Sequence, residues 1–334
     1  MRKVRAIVIH QHGAPEHAVG VEEIEVLDPN AGEVVVEVLA APINPADLNV
    51  IEGRYPILPA LPGVPGGEGV ARVVAVGPST SGVTAGDLVL LPSEFGSWRA
   101  AGVVNAARLV RVPDGVPLEV AAMLRINPAT ALCMLREFVR LEPGDWVVQN
   151  AGNSGVGRAV VQIAHQLGLR TITAVRRPEL ISQIIAEGGD VVLLDDDTFP
   201  KAAQDALAGA PVQLGLNAVG GESALRLAGA LAPGGTLVTY GAMGKKPLRI
   251  PNGLLIFKDL AWRGFWVTRW YQQATAERLT ALFSDLFTFA AGGALRMQIE
   301  RQYPLADAAT AIVHAQQTSR AGKILFAPPL DSRT

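Results

Sequence analysis

The spacing of hydrophobic and polar positions changes character about one third of the way along the chain. Four short runs rich in valine and other branched residues come first, and such runs favour β-strands. They are residues 6–9, 21–26, 33–40 and 69–76. From about residue 118 the apolar positions recur with helical spacing, at residues 119–123 and 129–139. The pattern predicts a β-rich first part followed by a part with a different architecture.

Predicted strands and helices then alternate as far as residue 265, which is typical of an α/β domain with a doubly wound parallel sheet. The predicted strands in this part are residues 146–148, 169–175, 191–194, 213–219 and 236–241. A helix over 274–289 and a final strand over 323–326 are expected to rejoin the β-rich part. We therefore expect one domain from residues 1–117 and 267–334, and another from residues 118–266.

A glycine-rich turn, Asn150-Ala-Gly-Asn-Ser-Gly-Val-Gly, separates an apolar strand from an amphipathic helix. Gly152, Gly155 and Gly157 leave the turn free of Cβ atoms and let phosphate oxygens approach the start of the helix. Ser154 stands where the usual dinucleotide fingerprint has a glycine, so the motif is informative because of the strand before it and the helix and strand after it. The pattern predicts a dinucleotide site, and a glycine turn that serves packing alone is the alternative.

Arg176 and Arg177 stand at the end of the next predicted strand. An acidic residue there would accept hydrogen bonds from the adenosine ribose, whereas arginines offer fixed positive charge to a 2′-phosphate. The pair therefore predicts NADPH rather than NADH as the cofactor. The alternative is a solvated pair of surface arginines.

Charge and hydropathy bear on the partners and location of the protein. The formal net charge of the 334 residues is −2, which provides no general attraction for nucleic acid or an anionic membrane, and we expect neither partner. The chain has no apolar run long enough to cross a bilayer, and its first residues resemble a strand rather than a secretory signal. We expect a cytoplasmic protein. An aspartate run at residues 195–197 is predicted to be a solvated turn.

The metal-ligating residue types are scarce. Cys133 is the single cysteine, which excludes an intramolecular disulfide and any multi-cysteine metal cluster. His10, His12 and His17 lie close together in sequence but lack thiolate or carboxylate support, and we expect them to be loop histidines. No metal site is predicted.

Several further segments are distinctive when taken together: Ile43-Asn-Pro-Ala-Asp-Leu-Asn, Glu52-Gly-Arg-Tyr-Pro, Ile126-Asn-Pro-Ala-Thr-Ala, Gln149-Asn-Ala-Gly-Asn-Ser-Gly-Val-Gly, Thr239-Tyr-Gly-Ala-Met, and Leu255-Ile-Phe-Lys-Asp-Leu with Gly264-Phe-Trp. With these segments the chain resembles the zinc-independent medium-chain dehydrogenase/reductase superfamily, and within it the 2-enoyl thioester reductases of the mitochondrial type. The resemblance covers nearly the whole chain. It implies a GroES-like substrate domain, a Rossmann domain for NADPH, and hydride delivery to C3 of a trans-2-enoyl thioester with protonation at C2. One departure is Gly66-Gly-Glu-Gly, where the family often has Gly-Asn-Glu-Gly.

The resemblance also implies the catalytic residues, which are Tyr55, Asn127 and Trp266. Such a site needs hydrogen-bond donors at the thioester oxygen and an acid near C2. Tyr55 is expected to supply one of these, since its phenol is protonated at neutral pH and it borders a proline-rich loop over residues 56–65. Packing on that loop or holding the nicotinamide is the alternative role of Tyr55, and capping a helix is the alternative role of Asn127.

The remaining implied residues bind the cofactor. The turn residues Asn153, Ser154, Gly155 and Val156 are expected to meet the pyrophosphate, and Tyr240, Gly241, Ala242 and Met243 are expected to flank the cofactor after a later strand. Asn127 is expected to lie near the nicotinamide or its ribose, and Phe265, Trp266 and Val267 are expected to border the nicotinamide. Lys323 is expected to hold a phosphate or the ribose. For Phe265 and Trp266 an aromatic core pair remains the alternative.

Three functions therefore stay open. The leading one is NADPH-dependent reduction of enoyl thioesters carried by CoA or an acyl carrier protein. The others are an NADPH:quinone or enone oxidoreductase, and an NADPH-binding protein without turnover. The resemblance also implies a homodimer, with a contact between sheet edges of the nucleotide domains as the expected interface.

Overall fold

The computed structural model describes residues 1–327, which form two compact units. Unit 1 comprises Met1–Ile126 and the described residues from Arg296 onward, and unit 2 comprises Asn127–Leu295. The strands β1–β15 and helices α1–α12 are numbered along the chain.

Unit 1 is the β-rich part that the sequence predicts. Its strands are β1 (Arg2–Ile9), β2 (Val19–Val26), β3 (Glu33–Pro42), β4 (Val70–Val76), β5 (Leu88–Leu90), β6 (Ala101–Asn105), β7 (Val110–Arg111), β14 (Ile299–Tyr303) and β15 (Lys323–Phe326). Its helices are α1 (Pro15–Ala18), α2 (Pro45–Ile51), α3 (Leu118–Ala121) and α12 (Ala308–Gln316). Short 3-10 turns lie at Ser93–Phe95, Ala106–Arg108 and Leu305–Asp307.

The strands of unit 1 form two sheets. β1 and β2 pair antiparallel as a ribbon, and the larger sheet has the order β14-β15-β3-β4-β5-β7, with β6 also paired to β3. Consecutive valines of β3, Val34 to Val36, are all buried, because both faces of this central strand are covered. β15 pairs antiparallel with β3, which joins the C-terminal strand to the N-terminal part of the chain.

Unit 2 is the alternating α/β part. Its strands are β8 (Trp146–Gln149), β9 (Arg170–Val175), β10 (Val191–Leu194), β11 (Val212–Asn217), β12 (Thr236–Thr239) and β13 (Ala261–Gly264). Its helices are α4 (Asn127–Glu137), α5 (Gly155–Gln166), α6 (Leu180–Ala186), α7 (Phe199–Leu207), α8 (Gly221–Ala230), α9 (Asn252–Ile256), α10 (Val267–Gln273) and α11 (Ala276–Ala291).

The strands of unit 2 form one parallel sheet in the order β10-β9-β8-β11-β12-β13. This is the strand order of a Rossmann fold, in which the direction of winding reverses between the first and fourth strands, here β8 and β11. The central strands are buried on both faces by helices, and for that reason they are continuous apolar runs. Within residues 1–327, no helix combines the length and hydropathy needed to cross a membrane.

The unit boundaries differ from the boundaries that the sequence predicts. The division falls after Ile126 and after Leu295, rather than after residues 117 and 266. α3 packs on β3 and so stays with unit 1. α11 packs on α4, where Arg136 Nη1 lies 2.6 Å from Asp285 Oδ2, and so stays with unit 2 rather than rejoining the β-rich part.

Candidate active site

The glycine turn of unit 2 lies after β8, at the point where the strand order reverses. A Cβ atom at Gly152 would lie 2.1 Å from Thr173 Cγ2, and one at Gly157 would lie 2.5 Å from the Ala151 carbonyl oxygen, so neither position admits a side chain. Ser154, which departs from the usual fingerprint, is the N-cap of α5, and its Oγ accepts a hydrogen bond from Gly157 N at 3.0 Å. The turn therefore presents bare backbone to its surroundings at the start of a long helix.

The side chains of the predicted pyrophosphate segment leave this helix end accessible. Asn153, Ser154, Gly155 and Val156 are partly buried. They follow β8, and in a Rossmann fold the ligand binds where the strand order reverses, beside this strand. Backbone N–H groups in the first turn of α5 have no partner within the helix, which makes this end favourable for an anion.

Tyr240 provides an independent indication of a ligand here. Its hydroxyl is buried and has no hydrogen-bond partner among residues 1–327, although Ser154 lies beside it outside hydrogen-bonding geometry. Burial raises the pKa of the Tyr240 phenol well above its ordinary value, so the group is a donor. A buried donor without an acceptor is costly, and an acceptor on a bound dinucleotide would satisfy it. The residues present therefore fit the predicted cofactor.

Arg176 and Arg177 follow β9, as the sequence predicts. Arg176 is exposed and Arg177 is half-buried, with Arg177 Nε lying 3.5 Å from Glu179 Oε1. Among the described residues no carboxylate pairs with Arg176. This end of β9 thus carries a positive charge that is only partly neutralised.

A buried polar network lies beneath the carboxyl ends of the central strands. Asn150 Nδ2 donates to Asn217 Oδ1 at 2.9 Å and to Ser223 Oγ at 2.8 Å, and Asn217 Nδ2 donates to Thr239 Oγ1 at 3.1 Å. Ser223 Oγ in turn donates to Asp195 Oδ2 at 2.6 Å. Through Asn150, the first residue of the glycine turn, the network connects the end of β8 to β11 and β12.

Asp195 corrects one sequence prediction. Only Asp196 and Asp197 belong to a solvated turn, whereas the Asp195 side chain is 5% exposed and pairs with Arg226 at 2.8 Å. The prediction was wrong for Asp195 because its partners, Ser223 and Arg226, both come from α8 and are far from it in sequence.

The segment after β12 and the segment after β13 contain the other predicted cofactor residues of unit 2. The turn from Tyr240 through Gly241 and Ala242 to Met243 is anchored by backbone bonds, with Tyr240 N donating to Asn217 O at 3.0 Å and Met243 N to Ala218 O at 2.9 Å. Met243 is exposed.

The aromatic segment has a structural role of its own. Phe265 N donates to Thr239 O at 2.9 Å, and the Phe265 ring lies edge-to-face against Phe138 at 5.9 Å between centroids. Trp266 is half-buried at the N-cap of α10, and Val267 is buried. Phe265 thus has a packing contact, and its role at the cofactor stays a prediction. Asn127 is buried and is the first residue of α4, so its position suits either of its two predicted roles.

Tyr55 and Lys323 belong to unit 1. Tyr55 is half-buried in the turn that follows α2, at the start of an irregular segment rich in proline. The predicted loop over residues 56–65 contains no helix or strand. Tyr55 therefore borders an irregular loop, and its role in catalysis stays a prediction.

Lys323 lies in a buried polar cluster that the sequence analysis did not find. Its Nζ donates to Asn44 Oδ1 at 2.5 Å, and Asn44 Nδ2 donates to Glu68 Oε1 at 2.8 Å. Asp47 accepts from Asn44 N at 2.7 Å, as part of a capping box at the start of α2, and it also accepts from Gly67 N at 2.8 Å. Asn44, Asp47 and Glu68 are each less than 5% exposed.

Sequence signals for the missed residues exist only in part. Asn150 directly follows the apolar strand β8 and Asn217 ends β11, and a polar residue there lies at the ligand edge of a parallel sheet. Asn44 and Asp47 form an Asn-x-x-Asp capping pattern before α2. Glu68 carries no local signal, since its partners are 24 and 58 residues away in sequence.

The described residues provide no obvious metal centre. Within residues 1–327, no three His, Cys, Asp or Glu side chains lie together as a metal-ligand group. His10 Nε2 pairs with Glu22 at 2.7 Å on the surface. Burial, with a smaller contribution from Glu137, raises the pKa of the Cys133 thiol to about 12, so this group is neither a ready nucleophile nor a ready ligand.

Two family models match the chain. The model described as alcohol dehydrogenase GroES-like domain matches residues 30–114, within unit 1, and the model described as zinc-binding dehydrogenase matches residues 155–285, within unit 2. The predicted fold class, a GroES-like domain with a Rossmann domain, is confirmed.

Curated relatives match over nearly the whole chain. The mitochondrial enoyl-[acyl-carrier-protein] reductase of Rattus norvegicus is 42% identical over 310 residues, covering 91% of this chain and 83% of the relative. The Homo sapiens protein of the same name is 42% identical and covers 93% and 85%. The one from Dictyostelium discoideum is 37% identical and covers 96% and 94%.

Solved structures give the same picture. A complex of Etr1p with NADP and crotonyl-CoA has a TM-score of 0.90 and 28% identity, and covers 98% of this chain and all of that chain. A putative NADPH:quinone reductase from Bacillus thuringiensis has a TM-score of 0.91 and 26% identity, with the same coverage. The Etr1p/Etr2p heterodimer of Candida tropicalis has a TM-score of 0.88 and 29% identity, again with that coverage.

These relatives overturn one expectation. The sequence analysis expected a cytoplasmic protein, but the relatives named above from rat, human and Dictyostelium are all mitochondrial by name. The expectation was wrong because it rested on the lack of a membrane-spanning apolar run and of a secretory signal pattern, and neither distinguishes one aqueous compartment from another.

Proposed function

We propose, because this chain belongs to the family of the mitochondrial enoyl-[acyl-carrier-protein] reductases, that it reduces the C2–C3 double bond of trans-2-enoyl thioesters with NADPH. The observation that carries the proposal is the extent of the likeness, which at 42% identity covers 91% of the chain and therefore includes both units. A likeness confined to unit 2 would support only the cofactor.

NADPH, when bound, supplies the hydride that reduces C3. The chain's own residues hold the cofactor by complementary chemistry. The start of α5 offers backbone donors to the pyrophosphate, Tyr240 offers its unused hydroxyl, and Arg176 with Arg177 offers positive charge to the 2′-phosphate. Asn153, Ser154, Gly155 and Val156 form the bare turn at that helix end.

The nicotinamide end is assigned to a second group of residues. Asn127, Trp266 and Val267, with Phe265 behind them, border the ring, together with the segment Gly241, Ala242 and Met243. Lys323 donates to the ribose or a phosphate from β15. Support for this assignment comes from the burial of Asn127 and Val267 and from the donors that remain on the Lys323 ammonium.

Tyr55 supplies the proton or the hydrogen bond that the substrate needs. Reduction at C3 leaves negative charge on the thioester oxygen until C2 is protonated. Tyr55 offers a phenolic O–H donor, and the residue is half-buried after α2, beside the proline-rich loop. Asn127 and Trp266 position the reacting groups.

The first experiment measures loss of NADPH absorbance with crotonyl-CoA, a longer trans-2-enoyl-CoA and a quinone, with NADH as the cofactor control. We expect turnover of the thioesters with NADPH. Tyr55→Phe is expected to lower kcat for the thioesters on the order of 100-fold, since a general acid contributes about that much.

An NADPH:quinone oxidoreductase is the second candidate, and the Bacillus thuringiensis structure favours it. Turnover restricted to the quinone, and insensitive to Tyr55→Phe, would establish that alternative. Tight NADPH binding without oxidation by any of the acceptors would indicate a protein without turnover. The same assay with an acyl carrier protein thioester decides which carrier is preferred.

The protein is further proposed to form a homodimer through the edge strand β13. This strand pairs with β12 on one side, and Ala261, Arg263 and Gly264 are exposed. An exposed apolar segment just before it, Leu255-Ile-Phe257, supplies surface that a second copy would bury. The Phe257 side chain is 87% exposed, which is unusual for an aromatic residue that serves only its own chain.

A further inference from the structure

Asp195 is a charged residue enclosed within unit 2, directly after β10. Its side chain is 5% exposed, and the side chain of Arg226, which pairs with it, is 19% exposed. Arg226 Nη2 also donates to the Asp195 carbonyl oxygen at 3.1 Å. Well-packed apolar residues of similar volume commonly stabilise a protein interior at least as well as an enclosed ion pair, so this pair is better explained by what it holds in place.

The Asp195 carboxylate connects to the glycine turn through Ser223. Asp195 Oδ2 accepts from Ser223 Oγ at 2.6 Å, and Ser223 Oγ accepts from Asn150 Nδ2 at 2.8 Å. A carboxylate can only accept, so it draws the single hydroxyl proton of Ser223 and leaves that oxygen to accept from Asn150. Asn150 is the first residue of the turn, and Asp195 therefore helps to fix the point where the turn begins.

The Asn150 amide uses all of its polar atoms in this arrangement. Its Nδ2 donates one hydrogen to Asn217 Oδ1, at 2.9 Å, and the other to Ser223 Oγ. Its Oδ1 accepts from Ala218 N at 2.7 Å. If Ser223 no longer accepted, one buried N–H of Asn150 would lose its partner, and the start of the turn would have to shift to regain one.

The backbone of Asp195 connects in the other direction, to the end of β9. Asp195 N donates to the carbonyl oxygen of Val175 at 2.8 Å, and Val175 is the residue immediately before Arg176. Gly152 N, in the glycine turn, donates to the carbonyl oxygen of Ala174 at 3.1 Å. The end of β9 is thus held from both of its neighbouring strands, and Asp195 provides the connection on the β10 side.

We propose that Asp195 is a positioning residue for NADPH, which holds the glycine turn and Arg176 at the separation that the phosphates of this cofactor require. The inference rests on the proposed function, because it takes the turn as the pyrophosphate site and Arg176 as a partner of the 2′-phosphate. Asp195 acts through Ser223 and Asn150 on one side and through Val175 on the other. It needs no contact of its own with the cofactor.

NADPH and NADH respond differently to a change in this separation. The two cofactors differ by the 2′-phosphate. NADPH reaches both the turn and Arg176, whereas NADH is held at the turn and has no phosphate for Arg176. A shift of the turn relative to Arg176 therefore weakens NADPH binding more than NADH binding, while a general loss of packing weakens both alike.

The main variant is Asp195→Asn, which keeps the shape but replaces one acceptor oxygen by an NH2 group. If this group faces Arg226, two donors meet. If it faces Ser223, the hydroxyl proton of Ser223 loses its acceptor. We expect the Kd for NADPH, measured by NADPH fluorescence without substrate, to rise about tenfold, and the Kd for NADH to rise less than about threefold.

Asp197→Asn is the matched control. Asp197 lies in the same turn and faces the same arginine, with Oδ1 at 3.5 Å from Arg226 Nη1, but its side chain is fully exposed. An exposed pair of this kind contributes little. We expect this variant to bind NADPH and NADH as the wild type does.

Ser223→Ala tests the connection without removing a charge. It leaves the ion pair of Asp195 with Arg226 in place and removes only the hydroxyl between Asp195 and Asn150. We expect NADPH binding to weaken more than NADH binding, as in Asp195→Asn. This variant decides the matter if Asp195→Asn does not fold. A folded Ser223→Ala protein that binds NADPH as tightly as the wild type, or that weakens both cofactors equally, would overturn the proposal.

A double-mutant cycle with Arg176→Ala completes the test. Once the contact with the 2′-phosphate is lost, adding Asp195→Asn is expected to weaken NADPH binding by less than about threefold more. Fully additive effects would show that Asp195 acts independently of Arg176, which contradicts the proposal. Wild-type protein that binds no NADPH contradicts the proposed function instead, so the two failures are distinguishable.

Discussion

Arg176 and Arg177 occupy different surroundings although they are adjacent in sequence. Arg177 is half-buried and already pairs with Glu179 at 3.5 Å, whereas Arg176 is exposed and has no carboxylate partner among the described residues. A 2′-phosphate at the end of β9 could therefore engage Arg176 without disrupting an existing ion pair. The two residues are expected to contribute unequally.

Arg176→Ala is expected to raise KM for NADPH about tenfold, and Arg177→Ala is expected to raise it less, because a charge-assisted bond contributes roughly 1.5–3 kcal/mol and Arg177 shares its charge with Glu179. KM for NADH should change little, since NADH lacks the phosphate. Steady-state kinetics with both cofactors test this, with the exposed Arg140→Ala as a control. Equal increases for NADPH and NADH would contradict the assignment.

At the scale of elements, Lys258 has a structural role that the sequence did not indicate. It lies in the segment Leu255-Ile-Phe-Lys-Asp-Leu, which is one of those that resemble the family. Its Nζ donates to the Gly229 and Ala228 carbonyl oxygens, at 2.8 Å and 3.2 Å, in the last turn of α8. A cation at this end of a helix satisfies carbonyls that lack helical partners and interacts favourably with the helix dipole. Lys258 thus joins the α9 region to α8.

Lys258→Met should lower the free energy of unfolding by about 1–2 kcal/mol, because it removes charged hydrogen bonds to a helix end. Lys201→Met is the matched control, since it breaks only an exposed pair with Asp205 on α7 and should change stability by less than about 0.5 kcal/mol. Urea denaturation of both variants provides the comparison. Similar losses in the two proteins would show that the α8 cap is unimportant.

β13 shows what periodicity alone misses among the elements. Its four residues, Ala261-Trp-Arg-Gly, alternate too briefly and contain too few branched residues to predict a strand. It becomes one by pairing in parallel with β12, and it then leaves the sheet with an exposed edge. Tertiary pairing, rather than local preference, created this element.

At the scale of the whole molecule, the exposed edge and the apolar residues beside it predict the oligomeric state. We expect the wild-type protein to be a dimer by light scattering at micromolar concentration, and Phe257→Glu to shift it toward the monomer, because a buried charge there would be unpaired. Val313→Glu alters an exposed apolar residue of unit 1 and should leave the dimer intact. A monomeric wild type, or a fully dimeric Phe257→Glu protein, would contradict the β13 interface.

Much of the fold could be predicted from the sequence. The strands from β8 to β12, the helix α5 between the glycine turn and β9, and the final strand β15 follow from periodicity over short windows. The boundaries between the two units could not be predicted in this way. They depend on which unit α3 and α11 belong to, and that depends on their packing against β3 and α4. The preference for NADPH followed from the resemblance and from Arg176 and Arg177. The difference between the surroundings of these two arginines became visible only in the structure, where Arg177 pairs with Glu179.

The sequence by itself determined the features that depend on neighbouring residues. These are the bare turn at Gly152 and Gly157, the cap at Ser154 and the alternation of strands with helices, since steric restriction and side-chain period act over a few residues. Only the tertiary structure decided which distant polar groups meet. Asn150 and Asn217 are 67 residues apart, and Asn44 and Lys323 are 279 apart. Hydrogen bonds require contact within about 3 Å, and strand order and packing alone bring these atoms so close.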